Sequence, residues 1–319
     1  MRRTGRKFAV EAADAITIRL PPSELYGPAT MKNLVLASTL LLAPVSMAAA
    51  EQPATIQPVV AAAMPAPVVA PSSGPGAANP APKSTPKAAP KQAPSMKLVE
   101  PHLRVARSEI KGHARVALTF DACMGKADER ILSVLVSERI PATIFVTARW
   151  LKHNPQALHV MLANPDLFEL ENHGQNHIPA VDKPVSIYGI ASAGSPEAVR
   201  LEVQGGADAM LASGIPAPRW FRGSTAKYDL SAIAQIRAMG YRIAGYSVNG
   251  DGGSLLGAAI TEKRISSAKD GDVVISHINQ PTHAAGEGVA KAILDLKARG
   301  TEFVRLQDVE DSGDDDTTE

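Results

Sequence analysis

The feature that most constrains this chain is a regular alternation of short apolar runs and amphipathic stretches between Val116 and Leu306. The run 116–120 (VALTF) has the composition of a strand. The stretch 127–139 then carries Ile131, Leu132, Leu135 and Val136 at helical spacing. The order repeats with a strand over 142–146, a helix over 155–163, a strand over 167–170 and a helix over 196–212 stopped by Gly214 and Pro216. Trp220 and Phe221 form a very short strand, followed by a helix over 229–239 and a strand over 241–248. A helix over 258–268, a strand over 272–276, a helix over 286–298 and a strand over 302–306 complete the series. Such alternation predicts an α/β domain with a parallel sheet covered by helices. Roughly seven units fit a (β/α)7-type barrel, short of the usual eight. A doubly wound open sheet competes, but no Gly-rich phosphate loop follows the first strand.

The regions flanking this single catalytic domain, 98–307, differ in kind. Met31-Lys32-Asn33, the apolar run 34–47 and Ala48-Ala49-Ala50 have the three parts of a secretory signal peptide over 31–50. Residues 1–30 are then a misassigned start or an N-terminal extension. Residues 51–97, mostly Ala, Pro, Val, Ser, Gln and Lys, are expected to be a disordered linker. The acidic end, 308–319, is expected to be disordered as well. These readings predict an exported protein, periplasmic or extracellular, tethered if the signal is not cleaved. The net charge of +1 gives no pull toward nucleic acid. Cys123 is the sole cysteine, so there is no internal disulfide. No stable protein partner is expected.

Barrel active sites gather where strands end. After the first strand stands Asp121; after the third, Asn172, His173 and His177; then Arg222; then Asn249 and Asp251; then His277 and Asn279. Two histidines four positions apart reach one metal ion if they lie on a helical turn.

These residues carry a resemblance. Leu118-Thr119-Phe120-Asp121, His173-Gly174-Gln175-Asn176-His177, Phe221-Arg222, Tyr246 to Asp251 (YSVNGD) and Ile275-Ser276-His277 resemble, in order, five motifs of the polysaccharide deacetylases of the NodB-homology type, carbohydrate esterase family 4. The resemblance implies a distorted barrel and a divalent metal cofactor. It implies Asp121 as the general base, His173 and His177 as metal ligands, and His277 as the general acid. Arg222 would orient Asp121 and keep it ionised, and Asp251 would orient His277. The backbone N–H of Thr225 would serve as an oxyanion donor, and Asn249 would lie on the oxyanion and substrate side. Amide hydrolysis needs these roles: an activated water, a base for its proton, an acid for a poor leaving group, and donors for the developing oxyanion.

The chain also departs from the pattern. Where the motif has a second aspartate, the usual third ligand, Ala122 stands, followed by Cys123. The third ligand is then Asp121, Cys123 or water; a thiolate would favour zinc. Gly223-Ser224-Thr225 replaces the proline and tyrosine after the arginine, and Gly252-Gly253 replaces a tryptophan. An apolar wall is therefore missing or supplied elsewhere, with Trp220, Trp150 and Tyr228 as candidates. The connection 182–195, with Tyr188, is a candidate groove edge. The expected activity is removal of N-acetyl groups from an N-acetylhexosamine polysaccharide or oligosaccharide. The alternatives are an O-acetyl esterase on an acetylated glycan, or an inactive carbohydrate-binding member of the fold.

Overall fold

The computed structural model describes residues 97–314. The extension 1–30, the signal peptide 31–50, the expected linker but for its last residue, and 315–319 lie outside the described residues. No helix among the described residues is long and apolar enough to cross a membrane.

The sequence enters through β1 (His102–Val105) and β2 (Arg115–Ala122), then α1 (Glu129–Ser137), β3 (Ala142–Val146), α2 (Ala148–His153) and α3 (Pro155–Leu162). β4 (Phe168–Asn172) leads into a small hairpin, β5 (Ser186–Ile187) and β6 (Ile190–Ala191), and then into α4 (Pro196–Ala212). Next come β7 (Trp220–Phe221), α5 (Leu230–Ala238), β8 (Arg242–Ile243), β9 (Val248–Asn249), α6 (Ala258–Ser266), β10 (Asp272–His277) and α7 (Ala285–Ala298). β11 (Glu302–Val304) and β12 (Asp311–Asp314) close the series. The strands run β10-β2-β3-β4-β7-β8 side by side, all parallel, with β9 on β10. β11 and β3 share one edge of β2, β11 along 115–117 and β3 along 119–122. The sheet curls into the expected barrel of fewer than eight units.

The period-2 alternation of β2 divides the core. Val116, Leu118, Phe120 and Ala122 pack on the helix side with Ile131, Leu135, Val289 and Ile293. Ala117 belongs to an interior cluster with Phe145, Trp220, Val273 and Ile275. Thr119 and Asp121 continue this inward row, so the barrel interior turns polar toward the ends of the strands. Helix starts follow local rules: Asp128, Thr147, Ser195 and Asp229 accept hydrogen bonds from the first turns of α1, α2, α4 and α5.

Three expectations are corrected. The strand expected over 241–248 is broken after Ile243, because residues 101–103 cross the chain there. Leu103 N–H donates to Tyr246 O, and Tyr246 N–H donates to Pro101 O. A Cβ at Gly245 would sit 2.0 Å from Pro101 O, so only glycine permits the crossing. The acidic tail expected from 308 is ordered at least to 314: β12 pairs antiparallel with β1, and Arg242 forms an ion pair with Asp311. Ladder hydrogen bonds on the open edge of β1 outweigh the acidic composition. Finally, β1, α2 and the β5–β6 hairpin have no counterpart in the sequence reading; each is too short for a periodic signal.

Candidate active site

The ends of β2, β4, β7, β9 and β10 bring the sequence-predicted residues to one mouth of the barrel. A cleft of about 530 Å³ opens there, lined among others by Asp121, Cys123, His177, Thr225, Asn249 and His277. His173, Arg222 and Asp251 lie beneath it, each buried.

Cys123, His173 and His177 form a triad whose ligand atoms all lie within 4.8 Å of one another. Cys123 Sγ is 3.4 Å from His173 Nε2. The imidazoles are oriented by their other nitrogens. His173 Nδ1 lies 2.6 Å from Arg222 O, and because a carbonyl can only accept, Nδ1 carries the hydrogen and Nε2 is left as a ligand. His177 Nδ1 is 3.2 Å from Ser224 Oγ, which directs its Nε2 toward the same point. The histidines do not lie on a helical turn, contrary to expectation. They sit on the loop after β4, brought together by left-handed backbone at Gly174 (φ 88°) and His177 (φ 63°). A Cβ at Gly174 would meet the Glu202 carboxylate at 2.5 Å. That carboxylate accepts from Asn176 and Ile178 N–H and so holds the loop. Asn172 Oδ1 accepts from Gly174 N–H. Glu202 lies on α4, 29 residues beyond His173 in the sequence, and no local pattern announces it.

Position 122 does not point into this triad. Ala122 is fully buried in the helix-side core with Phe120 and Val146, and the next inward position is Cys123. A soft thiolate and two imidazole nitrogens suit a zinc-like ion, so the donor set fits the implied metal. Asp121 is otherwise engaged. Its Oδ1 accepts from Arg222 NH1 at 3.0 Å, and its Oδ2 is 3.8 Å from His173 Nε2. Arg222, fully buried, also donates to Thr119 Oγ1 and to the carbonyls of Ala244 and Gly245, and stacks 4.3 Å from the Phe145 ring centroid. Its fork is fixed and Asp121 is held by it.

Across the triad, His277 N–H donates to Asp251 Oδ2 at 2.7 Å, and its Nδ1 is 3.0 Å from Asp251 Oδ1. The carboxylate accepts from Nδ1–H, which leaves Nε2 as the atom for chemistry. Burial alone would favour the neutral ring, but the Asp251 charge and hydrogen bond outweigh it and hold His277 well above the usual histidine range. Burial would raise Asp121; the charges of His173, Arg222 and His277 outweigh it and hold its carboxyl below the usual range. Burial likewise opposes the Cys123 thiolate, yet the His173 charge and hydrogen bonds from His173, His177 and His277 bring it well down. These shifts favour the thiolate of Cys123, the carboxylate of Asp121 and the protonated ring of His277.

Thr225 lines the cleft in left-handed backbone (φ 68°). Asn249 lines it too, but its Oδ1 accepts from Gly252 N–H and is spent on the following turn. The candidate walls Trp150, Trp220 and Tyr228 are at most 2 % exposed, so all three are core; the Tyr228 hydroxyl accepts from Gly223 N–H. Tyr188 and Ile190, from the 182–195 connection, do line the cleft.

Fold and site define a curled α/β barrel with an Asp–Arg pair and a His–Asp pair flanking a ligand-type triad at its mouth. Residues 109–244 match the family model described as polysaccharide deacetylase. No curated protein matches the sequence. Among solved structures, the Bc1960 peptidoglycan N-acetylglucosamine deacetylase is 18 % identical, with a TM-score of 0.51 over 64 % of this chain and 90 % of that one. The peptidoglycan deacetylase PdaC from Bacillus subtilis is 18 % identical, with a TM-score of 0.49 over 61 % and 89 %. A carbohydrate esterase family 4 pseudoenzyme from Bacillus anthracis is 20 % identical, with a TM-score of 0.49; the match covers 63 % of this chain and 66 % of that one. At 18 % identity the likeness to the Bc1960 enzyme speaks for the fold alone.

Proposed function

We propose that this domain is an exported, metal-dependent hydrolase that removes N-acetyl groups from an N-acetylhexosamine-containing glycan. The observation that carries the reading is the placement of Asp121 and His277, tuned in opposite directions, beside one triad of ligand atoms. Cys123 Sγ, His173 Nε2 and His177 Nε2 would hold the cation. When bound, a divalent metal acidifies water and polarises the acetyl carbonyl.

The chain's own groups do the rest. Asp121, pinned through Oδ1 by Arg222, offers Oδ2 to take the proton from the attacking water. Thr225 lines the cleft, and its backbone N–H would donate to the oxyanion. His277 holds its proton on Nε2 and delivers it to the amide nitrogen as the C–N bond breaks, so that acetate and a free amine leave. Asp251 keeps the ring oriented and stabilises its charged form. Each proton has an origin and a destination within the cleft.

The reading is tested by measuring acetate released from N-acetylglucosamine oligomers by metal-stripped protein, before and after zinc is supplied. Zinc-dependent release supports it. Release from O-acetylated xylan but not from N-acetyl substrates would turn the reading to an esterase. Stoichiometric zinc with no turnover on either substrate would turn it to a glycan-binding member of the fold. The signal-like segment 31–50 supports export; N-terminal sequencing of protein recovered outside the cytoplasm tests that part.

A further inference from the structure

β2 ends at Ala122, so Cys123 stands one residue past the last ladder partner and no strand neighbour fixes it. The turn that follows is on the surface: Met124, Gly125 and Lys126 are all exposed. Water can satisfy the carbonyls of such a turn, and none of them needs a buried donor.

Three buried side chains nevertheless take three successive carbonyls. Thr147 Oγ1, at the start of α2, donates to Cys123 O. Asn279 Nδ2, on the connection from β10 to α7, donates to Met124 O. Asn154 Nδ2, at the end of α2, donates to Gly125 O at 2.8 Å, and its Oδ1 accepts from Ala127 N–H at 3.0 Å. Thr147, Asn154 and Asn279 are each at most 5 % exposed. Gly125, in left-handed backbone (φ 89°), lies flush on this frame: a Cβ there would stand 2.7 Å from Asn279 O.

Asn279 carries the argument furthest. Its Oδ1 is buried without a partner. An orphaned buried acceptor is costly, and an apolar side chain of similar size would avoid that cost. What an apolar side chain lacks is the Nδ2 donor on Met124 O. Asn279 also stands two residues beyond His277, and Ile278 between them donates its N–H to Asp121 O at 3.1 Å. Its bond to Met124 therefore joins the turn that carries Cys123 to the strand end that carries His277.

From these contacts we infer that Thr147, Asn154 and Asn279 are positioning residues for the metal centre. By fixing the carbonyls of residues 123–125 they hold Cys123 Sγ against the two histidines before a cation arrives. Asn279 in addition sets the spacing between that ligand and His277. All three act through the backbone of the turn, not as ligands. The inference rests on the proposed ligand set, in which Cys123 is a donor.

The test titrates cobalt(II) into the metal-stripped full chain and follows the thiolate-to-cobalt charge-transfer band. Wild type should show the band and Cys123→Ser should lack it. Asn279→Leu is similar in size and uncharged, and it removes the donor and the orphaned acceptor together. It should raise the cobalt dissociation constant roughly 10–100-fold, as loss of a partner behind a ligand does. The band should be weakened and shifted at saturating cobalt, while the thermal unfolding midpoint of the metal-free protein stays near that of wild type. Thr147→Val should also weaken binding and alter the band. Thr147→Ser, which keeps the hydroxyl, should restore both. A wild-type constant and band in Asn279→Leu would make the residue merely structural and overturn the inference while the ligand reading stands. If Asn279→Leu does not fold, the Thr147 pair decides: a difference between Val and Ser supports the inference, and identical bands and constants overturn it. No band in the wild type removes Cys123 from the ligand set, and the inference falls with that reading.

Discussion

β4 and the residue just after it present three ionisable side chains in successive inward positions, Glu169, Glu171 and His173, all nearly inaccessible. The two ends of this row behave differently. At the lower end, Glu171 Oε2 accepts from the backbone N–H of Arg219 and Trp220. Glu169 Oε2 accepts from Thr143 Oγ1 and Gln307 N–H, and its Oε1 is 3.9 Å from Arg219. These acceptors are used to join strands. At the upper end, His173 ties one nitrogen to Arg222 O and keeps the other beside Cys123. A buried polar group is structural where its hydrogen-bonding capacity is consumed by backbone, and available for chemistry where one atom is fixed and another is left facing a cleft.

The most severe way to break this contrast is to remove a ligand. His173→Ala and Cys123→Ser should each lower bound zinc by at least about tenfold, with turnover falling in parallel, because a site with three protein donors loses one of them. Elemental analysis of the purified variants checks it; full zinc in Cys123→Ser would remove the thiolate from the proposed ligand set.

His277→Ala separates chemistry from binding within the upper region. Turnover should drop roughly 10²–10⁴-fold, as for loss of a general acid, while zinc stays. Unchanged turnover would sink the acid role.

Ala122→Asp sharpens the comparison from the opposite direction. The family's usual carboxylate at this position would here enter the helix-side core, so it should add no metal affinity and should cost about 3–5 kcal/mol of stability as an unpaired buried charge. Thermal or denaturant unfolding measures the cost. Recovery of zinc by Ala122→Asp in the Cys123→Ser background would contradict the orientation of Ala122.

The smallest effect belongs to the lower end. Burial, reinforced by the charge of Glu169, pushes the Glu171 carboxyl up to about 8 despite its two backbone donors. Its folded value is raised, so the native state binds a proton that the unfolded chain has released. Stability is full below about pH 4.5 and declines as pH rises toward 8. Glu171→Gln, which keeps the acceptor oxygen and carries no charge, should stabilise the protein above pH 8 by about 2 kcal/mol and flatten the pH dependence. Denaturant unfolding at pH 5 and pH 9 gives the comparison; an equal loss at both values would show that the carboxyl is ionised throughout.

Much of the fold was legible because its signals are local. α4 and β3 occupy the spans that periodicity predicts, 196–212 and 142–146, since an amphipathic face or an apolar run must be buried whatever surrounds it. The strand after Tyr241 was misread because what interrupts it is Pro101, 145 residues before Tyr246. The same distinction runs through the site. The residue types and their order along the chain were enough to single out Asp121, His173, His177, Arg222, Asp251 and His277, because barrel chemistry collects at strand ends.

Side-chain direction was decided only by the tertiary structure. Sequence left Asp121, Cys123 and water open as third ligand; strand alternation turns Ala122 outward and Cys123 inward, and Arg222 takes up one oxygen of Asp121. Sequence offered Trp150, Trp220 and Tyr228 as cleft walls; packing buries all three and leaves Tyr188 at the rim. By itself the sequence determined which chemical groups are present and which elements carry them. Which atoms face one another was set by long-range packing, because a barrel's interior is filled by side chains from strands far apart in the chain.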